Sequence, residues 1–541
     1  MGKRSAPWRR TGETGRRSRL ARIIGAMLVV GAAPPATSQQ PPSPSSPPAA
    51  TLAQLTLDQA LAEVLSSNAT ILASRQARRY NEGVLLSTRG NFDVNLHAGV
   101  SNSRDRSRLP VAASGVTAPT VLTNASNYAL SADRLLRSGI TLTSQLALAR
   151  TGVSSATTDP LNRSSADVGV VVPLGRGRGG GIITASERSA LLTSDASERD
   201  VRQTTAQAVL SAVSAYWEYR SAQERLLVYR EAEVRAGRMV DETRALIEAD
   251  ERPPADLLQV RSNLATKQTT TIGAEQTLIE ARRQLGLQMG RSADQIDELP
   301  AAGTFLPQLT DSSAALAESD GQWLLDGAAD RRMDLSAARL RTSAADRLRV
   351  GASRDLQSQL DVSLNLGYSA MVQGARFPSL VAPIYQNVPG VNATVKISYG
   401  LPVSNLYANG LALQSTAAYE QSVVQLQALE RNIESGKRVA LSALRNSRLA
   451  MARAHEAVQL AREAVTASSE RFRLGVSTLF DVILAEDALT QAMLGDVGAR
   501  GRYANALAGL RFETGTILDA DNSLTTDAAR FVRLCSGADR C

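Results

Sequence analysis

Residues able to do proton, metal or nucleophile chemistry are few and scattered. The chain holds two histidines, His97 and His455, and two cysteines, Cys535 and Cys541. Catalysis or zinc binding built on several histidines is therefore excluded. Both cysteines fall in the last seven residues, so they organise neither a disulfide framework nor a CxxC metal site; they read as part of a tail. His97 lies on the polar face of a strand pattern and His455 in a charged helical stretch, both solvated or lumen-facing. The run Gly175-Arg176-Gly177-Arg178-Gly179-Gly180-Gly181 has the glycine content of a phosphate loop. It lacks the Lys-Ser/Thr of a P-loop and the spacing of a dinucleotide fingerprint. It reads as a strand-to-helix junction, with Arg176 and Arg178 near lipid headgroups or a barrel rim. No GxSxG, HExxH or paired-carboxylate signal supports a hydrolase, and no cofactor is implied. Tyr216, Trp217 and Tyr219 cluster on a helix and read as packing.

With 541 residues, 43% of them apolar, the chain can fill large cores and is too apolar to be disordered. The formal charge of +8 suggests nucleic acid until it is located. Residues 1–36 carry a net +7 of it, so a nucleic-acid partner loses its support. These basic residues precede an apolar run, Ile23–Ala33, and small residues and prolines follow. That order describes a secretory signal peptide over 1–36. The run of about eleven residues is too short for a membrane helix, which needs about twenty. No cysteine follows it, so it is not a bacterial lipid anchor. Residues 37–54 form a Pro/Ser-rich linker. An exported chain without a later hydrophobic helix is soluble or crosses a membrane as β-strands.

The sequence repeats at an offset of 225. Residues 245–290 align without a gap on 470–515, pairing Asp256 with Asp481, Leu264 with Leu489, Gly273 with Gly498 and Gly290 with Gly515. The domains follow: a first repeat over 55–300, a linker over 301–318, a second repeat over 319–515 and a tail over 516–541. Each repeat opens with a helical stretch, 56–89 or 320–354. Period-two alternation then predicts strands over 92–102 and 165–173 in the first repeat, and over 357–368 and 391–401 in the second. Residues 126–150 add a further hairpin to the first repeat. Long helical hairpins follow, over 182–289 and 409–513. Proline is absent from 182 to 248 and from 411 to 473, so each outgoing helix would reach roughly 95–100 Å if unbroken. Narrow apolar stripes flanked by Arg, Glu and Gln fit coiled-coil packing. The first hairpin turns at Asp250-Glu251-Arg252-Pro253-Pro254. The second turns at Leu474-Gly475-Val476-Ser477, with Gly475 expected at C′ and Ser477 as the next N-cap.

Strands of about ten residues match a tilted outer-membrane barrel. Four strands, or six with the extra hairpin, cannot close one, because about eight is the minimum. An open edge in lipid is prohibitive, so several copies must pool their strands. The alternative is a periplasmic coiled-coil adaptor or scaffold without a membrane barrel, which has no use for membrane-length strands in both repeats.

The segment Arg471–Leu489, RFRLGVSTLFDVILAEDAL, resembles the signature of TolC-type outer-membrane efflux proteins. Leu55–Leu61 is similar to that family's opening helix, and Val172–Gly179 to its strand-to-helix junction. The resemblance covers 55 to about 515. It implies a mainly α fold with membrane β-strands, in which a homotrimer builds a 12-stranded outer-membrane barrel continued by a helical coiled-coil barrel in the periplasm. It implies a non-enzymatic exit duct for small molecules or proteins, serving tripartite efflux or type I secretion. The partners implied are outer-membrane lipid, a periplasmic adaptor (membrane fusion) protein and an inner-membrane transporter. Adaptor contact maps onto Phe472, Leu474, Gly475, Val476 and Ser477, and onto a first tip with Asp250, Pro253 and Pro254 that lacks the matching glycine. Asp481 occupies the first position where family channels are narrowed by carboxylates, and Leu484 stands where some members have a second acid. Three copies of Asp481 would ring the axis and favour cations; the plainer reading is a cap near Ser477.

Overall fold

A computed structural model describes residues 54–108, 120–153, 159–308, 327–385, 390–518 and 531. The expected signal peptide, nearly all of the Pro/Ser linker, most of the second linker and tail, and both cysteines lie outside the described residues.

The chain runs as helices α1 (Leu57–Ser67) and α2 (Ala69–Gly90), then strands β1 (Val94–Arg108), β2 (Thr120–Leu135), β3 (Thr141–Val153) and β4 (Leu161–Pro173). A short α3 (Gly180–Ile183) leads into α4 (Ala185–Glu248), α5 (Ala255–Gln288) and α6 (Ala293–Asp297). The second half has α7 (Ala328–Arg331), α8 (Met333–Arg354), β5 (Gln359–Gln373), α9 (Pro378–Tyr385), β6 (Val391–Gly400), α10 (Leu406–Arg473) and α11 (Leu479–Glu513). Among the described residues no helix is apolar enough to cross a membrane.

The strands form one antiparallel sheet in chain order, β1-β2-β3-β4-β5-β6. Its register sorts side chains by chemistry. One row across all six strands reads Ala98, Leu130, Leu146, Ala166, Tyr368 and Val391. The neighbouring row, on the other face, reads His97, Ser131, Gln145, Asp167, Gly367 and Asn392. On the polar face Asp133 accepts from Asn95 Nδ2 at 3.1 Å and lies 3.0 Å from His97 Nε2. On the apolar face Leu96, Leu130, Val168, Leu366 and Val395 stay exposed. Polar Asn162 and Ser164 interrupt this face at the end away from the helices. There they are buried, and α9 packs over that end of β4 and β5, with Asn162 Nδ2 donating to Ser379 Oγ at 3.2 Å.

The resemblance implies four strands per chain, since three copies make twelve; the described residues form six. Residues 126–150, expected as an added hairpin, fall within β2 and β3, in the middle of the sheet. The strands are also longer than the ten residues expected, at 13–16 residues for the first five and 10 for β6.

Four helices meet the sheet directly: α2 feeds β1, β4 leads to α4, α8 feeds β5 and β6 leads to α10. They lie side by side in the order α2-α4-α8-α10. At the β4–α4 junction Gly175 is held because a Cβ there would stand 2.3 Å from the Ser358 carbonyl oxygen. Arg176 donates to Gln359 Oε1 at 3.1 Å, which makes the glycine-rich run a structural joint. The β2–β3 turn is fastened to the same level, where Arg137 forms a two-point ion pair with Glu187 of α4 at 2.9 and 2.8 Å.

Further along, α1 and α2 pack on α4, and a core forms from Leu57, Leu61, Ile71, Leu285, Trp217 and Tyr216, all at most 2% exposed. The hydroxyls of the two core tyrosines find backbone partners, as buried tyrosines usually do, whereas Trp217 Nε1 has none among the described residues. Tyr216 Oη donates to the Leu55 carbonyl at 2.8 Å and Tyr219 Oη to that of Pro300 at 3.1 Å. Alanine lines the buried stripe of α4, including Ala206, Ala208, Ala212 and Ala215, and lets neighbouring helices approach closely. At 64 and 68 residues, α4 and α10 are roughly 95–100 Å long. Each then reverses into its hairpin partner.

Candidate functional site

The two hairpins end side by side in turns that lie 225 residues apart in the chain. In the second, Leu474 ends α10 and Gly475 adopts φ +72°. The turn is closed by Gly475 N–H donating to the Phe472 carbonyl at 3.0 Å and Val476 N–H to that of Arg471 at 2.9 Å. This is the paired C-terminal closure that satisfies orphan helix carbonyls and needs a left-handed residue. The first tip repeats it. Asp250 N–H donates to Ile247 O at 3.0 Å and Glu251 N–H to Leu246 O at 2.9 Å. Each of these four residues falls 225 positions before its counterpart. Asp250 therefore takes the place of Gly475, at φ +59°, a conformation that Asp tolerates better than most side chains. The missing glycine does not change the turn. The repeat alignment already carried this signal, because it sets Asp250 opposite Gly475.

The next helix starts also correspond. Thr478, not Ser477, is the N-cap of α11. Ser477 stays in the preceding turn, its N–H donating to the Arg471 carbonyl at 3.3 Å and its hydroxyl to that of Ser468 at 3.4 Å. Thr478 and Asp481 form a reciprocal capping box: Asp481 Oδ2 accepts from Thr478 N–H at 2.8 Å and Thr478 Oγ1 at 2.7 Å. These hydrogen bonds hold the Asp481 carboxyl below its usual pKa. In the first hairpin Pro254 sits at the N-cap of α5 and the Pro253 carbonyl accepts from Asp256 N–H at 3.1 Å. Proline there is pre-set for the helix start.

The surfaces differ. Leu474 and Val476 are 75% and 77% exposed, whereas their repeat counterparts are Ala249 and Glu251. Phe472 points between the hairpins, against Val240, Leu257, Val260, Leu479 and Ile483, and the Arg252 guanidinium lies 4.4 Å from its ring centre. Sequence reading missed Arg252, and also the ion pairs that clamp the hairpins one layer up. Arg235 pairs with Glu486 at 2.6 Å, and Lys267 with Asp487. Nothing in the helical spacing ties residues roughly 220–250 positions apart. Leu484 is exposed, one turn beyond Asp481. Among the described residues no group of three His, Cys, Asp or Glu could hold a metal ion.

No family model matches the chain. A curated relative, the outer membrane protein TolC of Vibrio cholerae, is 25% identical over 350 residues, covering 62% of this chain and 75% of that protein. The solved outer membrane protein VceC of Vibrio cholerae superposes with a TM-score of 0.62 at 16% identity, over 85% of this chain and 96% of that one. The fold is that of the TolC-type channels. The Campylobacter jejuni CmeC outer membrane channel extends the likeness, with a TM-score of 0.64 at 14% identity over 90% of each chain. At such low identity the likeness is one of fold.

Proposed function

We propose that this chain is one subunit of an outer-membrane exit duct. Three copies join their sheets into a barrel in the outer membrane, and their helices form a coiled-coil conduit across the periplasm. The duct carries small molecules or proteins outward from an inner-membrane transporter and transforms nothing chemically. A periplasmic adaptor docks at the hairpin tips, chiefly on the exposed Leu474 and Val476, with Asp250, Pro253 and Pro254 forming the neighbouring polar tip. The observation that carries this reading is the sheet itself. It has one apolar and one polar face and two open edges, and it stands on four helices. In water such a sheet exposes a broad hydrophobic surface and two aggregation-prone edges; in lipid, pooled with copies, both are satisfied. The same surface argues against a soluble adaptor or scaffold. Detergent-purified protein should be a heat-resistant oligomer from an outer-membrane fraction and should form conducting pores in planar bilayers. A water-soluble monomer without conductance would refute the duct.

A further inference from the structure

We infer that the assembled barrel has eighteen strands, half as many again as the twelve the resemblance implies, and is correspondingly wide. The inference rests on the trimeric duct proposed above.

Three observations make β2 and β3 part of the wall rather than a flap at its outer end. They occupy the middle of the sheet, each paired along its length, β1 to β2 over fifteen residues and β2 to β3 over thirteen. Their side chains continue both faces in phase: Leu130 and Leu146 in the apolar row, Ser131 and Gln145 in the polar one. A flap outside the lipid would need no such alternation. Their connecting turn is seated on the helices through Arg137 and Glu187, so the two strands span the full height.

The arc is consistent with this count. Strands about 4.8 Å apart and tilted by about 40° each take about 6.3 Å of circumference. Six cover about 38 Å and four about 25 Å. The four helices beneath the sheet, at 8–10 Å each, cover about 32–40 Å. Six strands therefore continue the helical wall without a step. An even count also leaves β1 and β6 running in opposite directions, so β6 of one copy meets β1 of the next as an antiparallel pair. Three copies give a backbone diameter of about 36 Å, against about 24 Å for twelve strands. Allowing about 5 Å of side chain on each wall, the lumen is about 26 Å wide instead of about 14 Å. A passage of that width suits hydrated polypeptides and other bulky hydrophilic cargo, and size selection moves down to the hairpin tips.

The test uses the full-length protein in planar bilayers, with neutral polyethylene glycols of graded size added from the barrel side. Polymers of about 20 Å hydrodynamic diameter should enter the wild-type pore and reduce its conductance. They should have no effect on a variant lacking residues 120–153, in which β1 and β4 become neighbours. Since that deletion can fail to fold, single cysteines in a Cys535→Ser/Cys541→Ser background give a second reading. Labels at Leu130→Cys and Leu146→Cys should be quenched by nitroxide lipids, and Ser131→Cys and Gln145→Cys should react with a water-soluble maleimide. A trimer that excludes the 20 Å polymer and exposes positions 130 and 146 to water overturns the eighteen-stranded wall but leaves the duct standing. A dimer gives twelve strands and overturns it too. A soluble monomer instead removes the duct on which the inference rests.

Discussion

The two hairpin tips have the same backbone and opposite surfaces. Both close with the same pair of carbonyl-capping hydrogen bonds around a left-handed residue, yet one presents Leu474 and Val476 and the other Ala249, Asp250 and Glu251. Helix termination is a backbone requirement, and both tips meet it in the same way. The residues that face outward are free to change, so only one tip presents an exposed apolar pair, Leu474 and Val476. The contact between the tips, Phe472 under Arg252, is asymmetric for the same reason. Its partner at the 225-residue offset is Ile247, which carries no ring.

The largest effect expected at the tips is from Phe472→Ala. It empties the cluster shared by both hairpins and removes the stacked guanidinium, at a cost of about 2–4 kcal/mol for a large-to-small change in a partly enclosed site. Hydrogen exchange at the ends of α4, α5, α10 and α11 should accelerate together. Acceleration in α10 and α11 alone would mean the hairpins are not coupled there. A pair of smaller changes should have opposite signs. Gly475→Ala puts a Cβ at φ +72° and should cost about 1 kcal/mol. Asp250→Gly relieves the same strain and should stabilise its tip by about 0.5 kcal/mol, after the extra freedom gained by the unfolded chain. Local exchange rates at Val476 and Glu251 measure both. Equal signs would break the equivalence of the turns.

Much of this architecture was legible in the sequence because it rests on periodic signals. Alternation in 92–102 and 391–401 and the proline-free spans each report a local rule that the structure obeys. Boundaries were less legible. Ser477 and Thr478 are both good N-caps, and the reciprocal bonds between Thr478 and Asp481 set the start at Thr478. The strand count was legible in part. Residues 126–150 were expected as a hairpin, but alternation alone does not say whether such a hairpin joins the sheet or stands apart from it; here it pairs with its chain neighbours on both sides. The clamps from Arg235 to Glu486 and from Lys267 to Asp487 were illegible for the same reason: ion pairs between separate helices leave no period in the chain.

Asp481 separates the tips most finely, since its counterpart Asp256 lacks a hydroxyl cap. Its carboxylate is held by the Thr478 hydroxyl and N–H, which lowers its pKa below the unfolded value. The stabilisation it gives α11 is therefore complete above the unfolded pKa, about 3.9, and is lost only as pH falls through the still lower folded value. Three such carboxylates around one axis would repel each other and push in the other direction. If they line the entrance, Asp481→Asn should abolish cation preference at every pH. Thr478→Val, which keeps the backbone donor but removes the hydroxyl, should make the wild-type preference disappear at a higher pH than before. Single-channel reversal potentials in a salt gradient, recorded from pH 7 down to about 2 so as to pass below the carboxylate range, read both variants. Unchanged selectivity in Asp481→Asn would leave the residue as a helix cap alone, and the two tips would then differ only in what they offer to a docking partner.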